Sequence, residues 1–128
     1  MRALCQHTLL DLYGCNPKRL KRAREVKALL CQAVRQGGGT IVKAVFHNFS
    51  PYGVSGVVVI TESHVTIHTW PEHQYAAVDI FSCSKKLDHG AIRRRLQKAL
   101  SATRVSGRRL ARGLRLENRA AARHKKQP

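Results

Sequence analysis

The stretch VSGVVVITESHVTIHTWPEHQYAAVDIFS, residues 54–82, decides the fold. Val54–Ile60 is rich in β-branched residues and has the length of a strand, with Gly53 and Gly56 marking a turn and a close backbone approach. Val65–Trp70 alternates apolar and polar side chains, the two-residue period of a strand with one buried face. Pro71-Glu72-His73-Gln74 reads as a turn, and Tyr75–Ser82 as the next strand. Upstream, Thr40–Phe46 is a further β-branched strand, set off by Gly37-Gly38-Gly39 from a helix. That helix is predicted to start at Asn16-Pro17, with Asn as N-cap and Pro in the first turn, and to turn Leu20, Ala23, Leu30 and Val34 to the core. Residues 3–12 form a first strand ended by Tyr13-Gly14. Downstream, Asp88 caps a second helix with Ile92, Leu96 and Leu100 at every fourth position, and Arg104–Leu110 is a last strand. This order predicts an α+β fold, a two-layer sandwich with a mainly antiparallel sheet and the helices on one face. Such a sheet leaves a face or an edge to cover, so self-association is expected.

The rest of the composition narrows the class. A chain of 128 residues sets a prior of one domain, and 43% hydrophobic residues is a globular composition. The longest unbroken aliphatic run, Val57–Ile60, is far short of the roughly 20 residues that span a bilayer. The start, MRALCQHTLL, has neither the apolar core nor the cleavage site of a signal peptide, so a cytoplasmic protein is expected. Cys5, Cys15, Cys31 and Cys83 follow no CxxC spacing and are expected to be free thiols, three of them as small buried hydrophobes. The formal charge of +17 is uneven: the last 25 residues hold nine Lys and Arg against one acid. A solvated, flexible basic tail at residues 113–128 accounts for much of it. Nothing interleaves aromatic with basic residues as a stacking platform would, so nucleic acid is not expected as a partner beyond weak binding by that tail.

His64 and His68, four apart, would share one face of a strand but lie roughly 13 Å apart, too far for one ion, and no metal is expected. Ser63 lies in no GxSxG elbow, which argues against a Ser/His hydrolase. The run Glu62-Ser63-His64-Val65-Thr66-Ile67-His68-Thr69-Trp70-Pro71-Glu72 points elsewhere. It is preceded by Phe46-His47-Asn48-Phe49-Ser50-Pro51-Tyr52-Gly53-Val54-Ser55-Gly56 and followed by Tyr75-Ala76-Ala77-Val78-Asp79-Ile80-Phe81-Ser82-Cys83. Together these resemble the prokaryotic S-adenosylmethionine decarboxylases, self-processing enzymes that depend on a pyruvoyl group. The resemblance runs from about residue 1 to residue 112 and takes in Asp11-Leu12-Tyr13-Gly14-Cys15.

What this resemblance implies is specific. The precursor would cut itself between Glu62 and Ser63, into chains 1–62 and 63–128. The Ser63 hydroxyl would attack the Glu62 carbonyl, and elimination from the resulting ester would leave a pyruvoyl group derived from Ser63. That group would form a Schiff base with the substrate amine, with no metal and no pyridoxal phosphate. His68 matches the residue that moves protons during processing, a task that suits an imidazole, whose unperturbed pKa is about 6.5. Ser55 matches a serine that assists processing. Cys83 matches the proton donor to the decarboxylated carbon, since a thiol is mostly protonated at neutral pH. Phe49 and Glu72 match substrate-contacting positions, an aromatic face for adenine and an acceptor for ribose hydroxyls. The cleaved units would pair into a heterotetramer of two chains of each kind.

The sequence departs from the family at two places near these residues. Ser84-Lys85-Lys86-Leu87-Asp88 follows Cys83 where glycine and acidic residues are usual, and Gln6 stands where arginine is common. The expected activity is decarboxylation of S-adenosylmethionine for spermidine biosynthesis. The same pyruvoyl chemistry serves arginine and ornithine decarboxylases, which stand as the alternative, with a basic nucleic-acid-binding module behind them.

Overall fold

The computed structural model of the chain describes residues 3–114. The elements are β1 (Ala3–Tyr13), a 3-10 turn at Pro17–Arg19, α1 (Ala23–Gln36), β2 (Ile41–Asn48), β3 (Val54–Ile60), β4 (Ser63–Trp70), a 3-10 turn at Pro71–His73, β5 (Tyr75–Ser82), α2 (His89–Ala99) and β6 (Arg104–Leu114). The strands form one sheet in the order β2-β3-β4-β5-β1-β6, and every neighbouring pair is antiparallel. Both helices pack on one face, α1 over β2 and β3, α2 over β1 and against α1. This is the α+β two-layer sandwich expected.

The alternation read along the strands sorts their side chains into two layers. Leu10, Leu12, Val65, Ile67, Val78 and Ile80 point at the helices and are buried. They meet Val26, Leu30 and Val34 of α1 and Ile92 and Leu96 of α2 in one core. Burying each such side chain favours folding by about 1.5–3 kcal/mol. Gly56 allows a close approach: a Cβ there would stand 2.1 Å from the ring of Phe46, its register partner in β2. The opposite face of the sheet is uncovered. On it Tyr13 stacks on Tyr75 at 5.4 Å and Tyr75 on Trp70 at 5.3 Å, the Tyr75 hydroxyl donates to Asp11, and Trp70 remains 40% exposed. Burial, and then the Asp11 carboxylate, push the Tyr75 phenol far up from its ordinary pKa.

Three expectations change. The first helix starts six residues late: Asn16 accepts from the Lys18 N–H at 3.1 Å, but only one 3-10 turn follows. α1 begins at Ala23, whose N–H donates to Asn48 Oδ1 at the end of β2, so a tertiary partner caps it. The last strand runs on through Gly113 and Leu114, pairing Leu114 with Ala3, so those two residues are sheet and not tail. The remainder of the expected tail, residues 115–128, lies outside the described residues. Finally, Cys5 and Cys83 are not free thiols but are joined in a disulfide, while Cys15 and Cys31 are free and buried. Register explains the pairing: Gln6 sits opposite Ser82, and one step further brings Cys5 beside Cys83 across 78 positions of sequence. Among the described residues no helix is long and apolar enough to cross a membrane.

Candidate active site

β3 passes into β4 through a two-residue turn, Thr61-Glu62, that leaves Ile60 paired with Ser63. Glu62 has φ 61°, the left-handed conformation that turns usually give to glycine or asparagine. Holding a glutamate there costs about 1–3 kcal/mol. Its carbonyl accepts the Cys83 N–H at 3.3 Å. The next residue, Ser63, is buried, and its Oγ has no hydrogen-bond partner. One peptide bond thus combines a strained backbone, a carbonyl already held by a backbone donor, and an adjacent hydroxyl that no other group engages. These features suit attack by Ser63 on Glu62, because the donor stands where negative charge would develop. They fit a serine that is to become a pyruvoyl group.

A polar row crosses the covered face beside Ser63. Ser82 lies opposite Ser63 in the β4–β5 register and is likewise buried. Ser82 Oγ is 2.7 Å from His89 Nε2, and His89 Nδ1 is 2.7 Å from Thr8 Oγ1. Burial, then the nearby Arg109 guanidinium, lower the His89 pKa against a smaller opposing effect of Asp88. A neutral imidazole donates at one nitrogen and accepts at the other, which both hydroxyls can satisfy. Reading the sequence did not single out Thr8, Ser82 or His89. They lie on β1, β5 and α2, and no local spacing connects them.

A second cluster sits at the other end of the sheet. Ser55 and His68 face each other across β3 and β4, with Ser55 Oγ and His68 Nδ1 hydrogen-bonded at 2.7 Å. Phe49 follows β2 there, half exposed, with its ring edge-on to His47 at 4.6 Å. Glu72, also exposed, is in the turn that follows β4. His68 is five residues along β4 from Ser63, about 16 Å at 3.3 Å per residue, and faces the uncovered side. The fold therefore brings Glu62, Ser63 and Cys83 together, brings Ser55, His68, Phe49 and Glu72 to the opposite end, and does not join the two groups within one chain.

Two neighbouring clefts flank the Ser63 end. One of about 370 Å³ is lined by Glu62, Ser63 and Lys86, the other of about 420 Å³ by Cys5, Cys83, Lys85 and Arg109, and Ser84 and Leu87 border both. The Ser84-Lys85-Lys86 segment thus lines both clefts and brings two cations to them. Among the described residues no group of three or more His, Cys, Asp or Glu is placed to hold a metal ion.

Comparison with known proteins gives concordant matches. The profile of the S-adenosylmethionine decarboxylase family matches residues 6–113. The S-adenosylmethionine decarboxylase proenzyme of Thermotoga petrophila is 47% identical over 105 residues, covering 82% of this chain and 81% of that one. The proenzyme of the same name from Moorella thermoacetica is 43% identical over 122 residues, 95% of this chain and 98% of that one. The crystal structure of the adenosylmethionine decarboxylase of Aquifex aeolicus superposes with a TM-score of 0.83 at 31% identity, covering 89% of this chain and 94% of that one.

Proposed function

Because the chain belongs to the S-adenosylmethionine decarboxylase family, whose members depend on a pyruvoyl group, we propose that it cleaves itself at Glu62–Ser63 and then decarboxylates S-adenosylmethionine. The observation that carries the proposal is the Glu62–Ser63 junction, with its left-handed glutamate, its held carbonyl and its unpartnered serine. Ser63 Oγ attacks the Glu62 carbonyl carbon, and the oxyanion forms against the Cys83 N–H. The amide C–N bond breaks as its nitrogen takes a proton, which leaves an ester. Loss of the Ser63 Cα proton then expels the Glu62 carboxylate, so both steps need a group that moves protons. Tautomerisation and hydrolysis of the new amino terminus release ammonia and leave the ketone.

The pyruvoyl group, once present at position 63, supplies a carbonyl that condenses with the substrate amine and draws off the electron pair left as carbon dioxide departs. The chain's residues do the rest. Cys83, whose backbone N–H touches the Glu62 carbonyl, stands beside the reacting position and, once its bond to Cys5 is reduced, gives its thiol proton to the substrate carbon. Lys85, Lys86 and Arg109 border the same clefts and hold the carboxylate end of the substrate. Phe49 and Glu72, at the opposite end of the sheet within one chain, reach this site from a paired copy, where Phe49 offers adenine a face and Glu72 accepts from the ribose hydroxyls. At the far end of the substrate a guanidinium or ammonium would prefer a cluster of carboxylates, whereas the aromatic face of Phe49 and the single acceptor Glu72 suit an adenosyl group, which favours the adenosyl compound over arginine or ornithine.

His68 with Ser55 is the proposed proton-transfer pair for processing. Its separation of about 16 Å from Ser63 in one chain supports a paired assembly, in which a two-fold axis sets the Ser55–His68 end of one copy against the Ser63 end of the other. Each copy, once cut, contributes a 1–62 and a 63–128 chain to a heterotetramer. A second reading is favoured by the 2.7 Å Ser82–His89 contact next to Ser63, which offers a relay within the same chain.

Intact mass under reducing conditions tests the cleavage: two chains are expected, the second beginning with the pyruvoyl group. Carbon dioxide release from carboxyl-labelled S-adenosylmethionine, arginine and ornithine, compared as kcat/KM, tests the substrate. Turnover of arginine or ornithine without S-adenosylmethionine would overturn the substrate assignment and leave the cleavage standing.

A further inference from the structure

Cys5 has no part in the cleavage or the decarboxylation described above, yet it is bonded to the residue proposed to donate the proton. The neighbourhood suits a reactive pair. Both cysteines line the cleft of about 420 Å³, together with the cations of Lys85 and Arg109 and the carboxylate of Asp88. The thiolate fraction of a cysteine is the form that attacks disulfides, and the cleft gives a small molecule a path to Cys83, which is partly exposed while Cys5 is buried. Cys15, by contrast, is buried with its thiol pushed up to about 11, and has no such surroundings.

We infer that Cys5 is the redox partner that switches the Cys83 thiol off and on, the disulfide stopping decarboxylation while leaving self-cleavage intact. The inference rests on the reading of Cys83 as proton donor. A sulfur in a disulfide carries no proton, so the oxidised pair cannot protonate the substrate carbon. Cleavage uses the Cys83 backbone N–H, which the side-chain bond does not consume. The two functions of residue 83 are therefore separable by redox state. Cleavage adds a second consequence. Cys5 falls in the 1–62 chain and Cys83 in the 63–128 chain, so the same bond ties the two products covalently across the cut.

The switching reaction is thiol–disulfide exchange with a small cyclic disulfide. The Cys83 thiolate attacks one sulfur of the oxidant and opens its ring to a mixed disulfide. The Cys5 thiolate then displaces the oxidant sulfur, leaving Cys5–Cys83 joined and the oxidant reduced to a dithiol that carries the two protons. The dithiol drives the reverse.

The test titrates the cleaved, full-length protein in lipoamide and dihydrolipoamide buffers of varied ratio. Each sample is acid-quenched, weighed intact without reductant, and assayed for carbon dioxide release. Turnover of the wild type should fall at least about 100-fold, the scale of losing a general acid, as one joined species replaces two free chains, and dithiol should reverse both. Cys5→Ser and Cys5→Ala should show two chains and the reduced wild-type rate at every ratio, and uncut precursor should cleave equally fast at both extremes. A joined species that turns over at the reduced rate overturns the inference, as does a wild type that never joins. A joined species that still turns over removes the donor reading together with the switch, since its Cys83 has no proton to give. Where the wild type never joins, Cys83→Ala assayed in reductant separates the causes: an inactive variant leaves the donor reading intact and removes only the switch, whereas an active one removes both.

Discussion

A His68→Ala precursor and a Ser63→Ala precursor, each unable to cut itself, are expected to restore cleavage when mixed. The two residues are five steps apart on β4, and five steps of about 3.3 Å place them roughly 16 Å apart. A hydrogen bond spans about 3 Å, so no rotamer lets His68 serve the Ser63 of its own chain. A partner copy related by a two-fold axis removes the difficulty, since each site then takes Ser63 from one chain and His68 from the other. Random re-pairing of equal amounts puts half the pairs in the mixed form. Each mixed pair holds one chain with Ser63 opposite an intact His68, so about half of the His68→Ala chains, a quarter of all chains, should cleave at close to the wild-type rate. His68→Ala alone should lag by about 10²–10⁴-fold, and Ser63→Ala alone should not cut at all. The assay is intact mass over time in reductant, with the His68→Ala chain isotopically labelled so that the cut chain is identified. If His68→Ala alone cleaves at the wild-type rate, the reasoning is refuted and the Ser82–His89 pair becomes the processing base. If mixed pairs form, shown by native mass, and cut no faster than His68→Ala alone, the two-fold arrangement is refuted.

The remaining predictions use other parts of the structure. Ser63→Ala should stay a single uncut chain indefinitely, while Cys83→Ala should still cut and lose about 10²–10⁴-fold in turnover, read by intact mass and carbon dioxide release. Gly56→Ala sets a methyl against the Phe46 ring. It should cost about 1–3 kcal/mol and lower the thermal midpoint by about 4–12 °C. The lowered His89 pKa means the unfolded chain binds that proton first as pH falls below 6.5. Stability should therefore decline with falling pH in that window by at most about 1.4 kcal/mol per unit from this group, and His89→Gln should flatten the slope measured by denaturant unfolding.

Periodicity was enough to identify the sheet and its helices, because strand alternation and helical spacing are local signals that survive without neighbours. Val54–Ile60, Tyr75–Ser82 and the Asp88 cap stand where the pattern put them. The family was legible too, because the run from Glu62 to Cys83, with its Glu62-Ser63 pair and His68, is a recognisable motif. What the sequence could not display are relations set by register and by crossing connections. The cap of α1 comes from Asn48, 25 positions beyond Ala23. The bond between Cys5 and Cys83 exists because β1 inserts beside β5. The Thr8–His89–Ser82 row joins three elements, and the distance from Ser63 to His68, short in sequence, is long because a strand is extended. A linear chain specifies which groups are present and how each segment prefers to fold. Only the packed sheet decides which distant groups touch and which near ones are held apart.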